Sequence, residues 1–210
     1  MTTFAITISE WNSSKFKDIP VTQAALNLIN KSEILKSDIR AYQTSNADNV
    51  ELLTAPRLAD SASYRPPAGA KGGQVFIGIN RVSTPEGTFN ILAHELGHFR
   101  VESPGAAIAN ARANARAVSD KVAYEAACNL TEGFAKLNEF KARDEAIKST
   151  QQQAIAEGRP LNIQEQILID RWLGLGGLAN SPEVKDYRIV DAIRESAKFK
   201  RVRSFIIIFV

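Results

Sequence analysis

The stretch Thr84–Arg100, TPEGTFNILAHELGHFR, decides the fold of this chain, because a helix start, an apolar stripe and a chemical motif overlap within it. Thr84 offers a hydroxyl for the N-cap, Pro85 suits the first helical position, and Glu86 places an acid in the first turn. Phe89, Leu92, Leu96 and Phe99 recur at helical spacing, which predicts an amphipathic helix that stops before Ser103-Pro104-Gly105. On that helix His94-Glu95-Leu96-Gly97-His98 fits H-E-x-x-H. Two imidazoles four residues apart sit one turn apart on one face, so both can reach a single metal ion. The chain has no other histidine, and this pair falls at the required spacing on a helix signalled independently. Gly97 costs about 1 kcal/mol against Ala inside a helix. It reads either as a point of close approach by a backbone or metal partner, or as one tolerated glycine.

Upstream of this helix, Gln74–Asn80 (QVFIGIN) reads as a strand and Tyr64–Gly73 (YRPPAGAKGG) as a loop. Val50–Thr54 reads as a short strand, Pro20–Lys31 as a helix with Pro in its first turn, and Thr3–Ser9 as a first strand. Downstream, GAAIANARANARA (105–117) is helical without a strong apolar face, and helix formers then continue from about Ser119 to Ala156. Leu173–Gly177 reads as a break, and Ser181-Pro182-Glu183 caps a last helix to about Phe199. The tail Phe205–Val210, FIIIFV, is too short to cross a bilayer and reads as a buried terminal strand, with a membrane-surface or partner contact as the alternative. No repeat and no Gly-rich linker divides the chain. The expected architecture is one mainly helical α+β domain over residues 1–210, with a small sheet beside the H-E-x-x-H helix.

Composition narrows the function. The 210 residues are 44% apolar and 23% charged, which excludes collagen-like, low-complexity and wholly disordered classes. The net charge of +3 is too small for a nucleic-acid binder, and Arg112 and Arg116, four apart, read as a solvated stripe. The single cysteine, Cys128, excludes an internal disulfide. The N-terminus shows no Sec signal and no segment approaches a membrane span, so cytoplasmic synthesis and no transmembrane segment are expected.

The motif implies a hydrolytic zinc site, in which the ion lowers the pKa of a bound water to roughly 7 and Glu95 completes its activation. Such a site takes three protein ligands, and no third histidine exists. Glu125, Glu132 and Glu139 stack along nearly one side of the following helix. Glu132 is favoured, because Cys128, Gly133 and Ala135 are small neighbours that let its helix come close. Glu139 and Cys128 are the alternative third ligands, but Glu139, bracketed by Lys136 and Arg143, is more easily explained as a surface ion-pair residue, and Cys128 as a buried thiol packed between helices. Glu102 reads as end-of-helix charge. Tyr124 and Tyr187 are candidate oxyanion stabilisers, and neither is assigned.

With His94, Glu95, His98 and a downstream Glu on a second helix, the chain resembles the zincin metallopeptidases, in the branch whose third ligand is a glutamate. The stretch from Tyr64 to about Arg143, YRPP…GGQVFIGIN…ILAHELGHF followed by EGFAKLNE, also resembles metallopeptidase domains of bacterial effector toxins delivered by machines such as type VI secretion. The resemblance implies a zincin-like domain with a catalytic core of about 64–143. It implies one Zn²⁺ per chain held by His94, His98 and Glu132, with Glu95 as general base cutting peptide bonds of a protein or peptide. It places the QVFIGIN strand at the cleft edge, open to an extended substrate, where the alternative is a fully paired core strand. It further implies a cognate immunity protein or a secretion spike as partner, and delivery into another cell or the periplasm. Two other readings share the site: a zinc amidase acting on cell-wall peptides, and a non-catalytic zinc-stabilised binding module.

Overall fold

A computed structural model describes residues 4–67, 72–102 and 107–174. The helix expected at 181–199, the apolar tail, the stop at 103–105 and Tyr187 lie outside these residues. The fold is mainly helical α+β, with seven helices and a three-stranded sheet among the described residues.

The chain opens with α1 (Ile8–Asn12), where a strand is expected from the β-rich composition of Thr3–Ser9. The reason is a capping box. Thr7 Oγ1 accepts from the Glu10 amide at 3.2 Å, and Glu10 Oε2 accepts from the Thr7 amide at 2.7 Å. α2 (Gln23–Asn30) is capped by the Thr22 side chain, so it begins later than Pro20 suggests. α3 (Glu33–Thr44), capped by Ser32, is an element the sequence reading does not mark. Three strands follow: β1 (Glu51–Leu53), β2 (Ala62–Arg65) and β3 (Gln74–Gly78). β3 lies in the middle, parallel to β1 and antiparallel to β2. The QVFIGIN strand is therefore a paired core strand, and the cleft-edge expectation for it is overturned. β1 and β2 hold the two edges, and part of β2 lies where the sequence reading places a loop.

A 3-10 turn (Ile79–Val82) leads into α4 (Pro85–Glu102), whose N-cap is Thr84: its Oγ1 accepts from the Gly87 amide at 3.0 Å. α5 (Ala107–Ala117) and α6 (Lys121–Ala156) follow as expected, and α7 (Ile163–Gly174) closes the described chain. Among the described residues no helix is long and apolar enough to cross a membrane.

Phe89, Leu92 and Leu96 of α4 are fully buried, each contributing roughly 1.5–3 kcal/mol by burial. They join Trp11, Leu26, Tyr42 and Ile77 in one core cluster. Phe99, the last member of the stripe, is partly buried and meets both Tyr42 and Tyr64 edge-on. α7 seals the other end by setting Trp172 against Phe89, with ring centroids 5.1 Å apart. On the opposite face of α4 lies α6. A Cβ at Gly97 would stand 2.7 Å from the Ala135 Cα, so glycine is there because the backbone of α6 crosses at that point. The two helices that hold the candidate ligands are thus brought into van der Waals contact.

Candidate metal centre

His94 and His98 project from α4 with ring centroids 5.0 Å apart. Glu132 reaches them from α6. Its Oε1 lies 3.3 Å from His94 Nε2, and its Oε2 lies 3.3 Å from His98 Nε2. One donor atom from each of the three residues falls within 4.8 Å of the others. Among the described residues this is the one such group of metal-binding side chains. Two imidazole nitrogens and a carboxylate are the donor chemistry that borderline divalent ions take, so the residues fit such an ion.

The far side of each ring faces another carboxylate. Glu139 Oε2 lies 3.5 Å from His94 Nδ1, and Glu102 Oε1 lies 3.7 Å from His98 Nδ1. Both acids are buried and both are gripped by cations. Glu102 pairs with Arg112 of α5 at 2.6 Å; Glu139 pairs with Lys136 at 3.2 Å and with Arg143. This corrects two expectations. Glu139 keeps its expected ion pairs but is 4% exposed, not a surface residue, and Glu102 is more than a helix-end charge. Their positions depend on α5 and α6 folding back over α4, which no local pattern signals.

Cys128 is half-buried and lines the same cleft, in place of the fully buried packing expected. Its sulfur is outside the group of three donors. Glu125 is exposed and pairs with Lys121 at 3.7 Å, away from the histidines. Tyr124 is exposed. The tyrosine that does line the cleft is Tyr64 on β2, whose buried hydroxyl has no hydrogen-bond partner. Sequence reasoning looked downstream of the motif for such a group and missed it.

The cleft, about 740 Å³, runs along α4, with β2 and α6 contributing to its walls. Glu95 sits in it at 3% exposure, with Oε2 buried and unpartnered. Burial raises the Glu95 pKa above the usual carboxylate range, partly offset by the two histidines and Arg81. Burial alone would lower the His98 pKa, but the carboxylates of Glu102 and Glu132 outweigh it and push it up to about 9. His94 is raised in the same way, with Glu132 and Glu139 overcoming burial. Contact with both histidines holds the Glu132 carboxyl well below its ordinary value. The two histidines of α4 are therefore surrounded by carboxylates, of which Glu132 is the exposed one and Glu102 and Glu139 are buried. No protein-family model, curated protein or solved structure matches the chain.

Proposed function

We propose that the protein is a zinc-dependent peptidase, with the ion held by His94, His98 and Glu132 and with Glu95 as general base. The observation that carries this reading is the reach of Glu132, whose two oxygens meet the Nε2 atoms of both motif histidines from a separate helix. When bound, zinc lowers the pKa of water and polarises a carbonyl. Glu95 accepts a proton from the attacking water and passes it to the leaving amine nitrogen as the C–N bond breaks. Its burial supports that role, because a raised pKa suits a carboxylate that must both take and return a proton near neutral pH. Glu139 and Glu102 stand 3.5 and 3.7 Å from the two Nδ1 atoms, where their charge favours turning Nε2 toward the ion; His94 Nδ1 makes no hydrogen bond.

β2 supports a peptide substrate. It has a strand partner on one side only among the described residues, and Ala62, Ser63 and Tyr64 line the cleft. An extended peptide laid along that edge gains backbone hydrogen bonds by β-addition. The purely structural zinc reading is less well supported, since a closed site takes four protein ligands and three donors gather here among the described residues.

Zinc content by elemental analysis, together with cleavage of an unfolded protein, tests the proposal. The parent should carry about one zinc per chain and Glu132→Ala much less. Glu95→Gln should keep its zinc and lose cleavage. A zinc-free parent after reconstitution, or full cleavage by Glu95→Gln, overturns the proposal. Hydrolysis of peptidoglycan without cleavage of proteins moves it to the amidase reading.

A further inference from the structure

We propose that Arg81 selects the substrate, its guanidinium binding a carboxylate of the peptide close to the bond that is cut. The proposal rests on the peptidase reading above and names what that site recognises. Four cationic side chains line the cleft, and three of them are already paired. Arg112 is held by Glu102, and Lys136 and Arg143 are held by Glu139. Arg81 differs. Its Nε donates to the Asp60 carbonyl at 2.7 Å, and no carboxylate lies within ion-pair distance of it among the described residues. The two terminal amino groups remain, and together they form the fork that grips a carboxylate through two parallel hydrogen bonds.

The seat of this arginine is fixed before any ligand arrives. Arg81 belongs to the 3-10 turn Ile79–Val82, and a Cβ at Gly87 would stand 2.6 Å from the Arg81 carbonyl oxygen. The turn therefore packs directly on the first turn of α4. Its neighbour Asn80 ties the same turn to Asp60, through the Asn80 side chain at 3.0 Å. A cation whose backbone and Nε are both anchored loses little freedom when it binds, which favours recognition.

The charge inventory points the same way. Glu95, Glu102, Glu132 and Glu139 balance the four cleft cations, so a divalent ion at the histidines leaves the cleft net positive. An anionic group entering it is then attracted, and Arg81 is the cation free to receive it. The carboxylate comes either from an Asp or Glu side chain or from the C-terminus of a peptide.

The test uses the zinc-loaded full chain and a mixture of peptides digested from a bacterial proteome, with cut sites mapped by mass spectrometry. The expected result is enrichment of Asp or Glu at one fixed position beside the cut. Cuts clustered at a fixed distance from peptide ends, and abolished by C-terminal amidation, would identify the terminal carboxylate as the source. Arg81→Gln should lose the enrichment by about tenfold or more, the worth of one charge-assisted fork. Arg81→Glu should shift it toward Lys and Arg. Calorimetry on the zinc-loaded Glu95→Gln protein gives a second reading without turnover. There, an enriched acidic peptide should bind about tenfold more tightly than its Gln or amidated counterpart, and adding Arg81→Gln should erase the difference. Cleavage without any carboxylate preference, or a preference that survives in Arg81→Gln, overturns the proposal while leaving the peptidase reading intact. No cleavage at all by zinc-loaded parent overturns the peptidase reading and the proposal with it.

Discussion

Asn138 donates from one side-chain nitrogen to the carbonyl of Ala93 at 2.8 Å and to Asp38 Oδ2 at 2.9 Å. A single buried amide thus joins α6 to α4 and α3, one residue before His94 on one helix and one residue before Glu139 on the other. Replacing Asn138 by Ala removes both bonds and leaves Asp38, 1% exposed, with Arg100 as its remaining charged contact at 3.1 Å. We expect a loss of about 1–3 kcal/mol, read as a lower melting temperature. An unchanged melting temperature would show that the amide contributes nothing to the join.

Asp38 also predicts a pH dependence of stability. Burial is the main cause of its raised pKa, about 6 against an ordinary 3.8, and the contacts with Asn138 and Arg100 offset it only in part. The folded state therefore holds this proton more tightly than the unfolded chain. The stabilisation is fully present below pH 3.8 and is lost as pH rises through about 6. Its size is on the order of 3 kcal/mol. The Asp38→Asn variant should lack that decline, so its urea midpoint should gain on the parent's across this interval. A parent-to-variant difference that stays constant with pH would refute the assignment.

Gly97→Ala sets two effects against each other. Helix propensity favours Ala by about 1 kcal/mol, but the added methyl meets the backbone of α6 at Ala135, which cannot rotate aside. Overpacking of this kind costs roughly 1–3 kcal/mol, so the net change should be destabilising. Because the methyl pushes α6 away from α4, Glu132 recedes from the histidines. Zinc affinity should therefore fall more than thermal stability does, a split that chelator competition and melting curves together would reveal.

Glu102→Gln keeps the shape of the side chain and removes its charge. If Glu102 orients His98, metal affinity should drop about 10- to 100-fold while the far-UV circular dichroism stays unchanged. Equal affinity in parent and variant would reduce Glu102 to an anchor for Arg112.

A toxin role for the proposed peptidase would have a cellular consequence. Expression of the parent in the cytoplasm or periplasm of a bacterial host should slow growth, and expression of Glu95→Gln at the same level should not. Equal growth in both would count against a toxin role.

Much of the site is legible because its signals are local. Thr84-Pro85-Glu86, the stripe Phe89–Leu92–Leu96 and the histidine pair all lie on or at the start of α4, and the small residues around Glu132 favour it over Glu139 without deciding between them. α1 was legible too: Thr7-Ile8-Ser9-Glu10 carries the S/T-x-x-E pattern of a capping box, and β propensity masks it. The roles of Glu102 and Glu139 are of another kind. Glu102 becomes a histidine partner only when Arg112 of α5 comes back to hold it, and Arg81 faces a cleft that exists only after β2 and α6 assemble. Pattern cannot report a contact made by chain reversal. For the same reason the QVFIGIN run could not say whether both of its edges would be covered.

α6 sets a rotational rule for any longer or shorter version of this chain. It runs 36 residues without interruption, about 54 Å. Near its start Glu132 faces the histidines, and further along Glu145 accepts from Ser32 Oγ at 2.9 Å and the Ile34 amide at 2.8 Å, at the head of α3. One residue inserted between 139 and 145 would turn everything beyond it by about 100°, so the two glutamates could not both keep their partners. Seven inserted residues would restore the rotation to within about 20° but would move the far end by about 10 Å along the axis, so Glu145 would still leave Ser32 and Ile34. The helix behaves as a spacer fixed in both phase and length, so neither insertion leaves both glutamates with their partners.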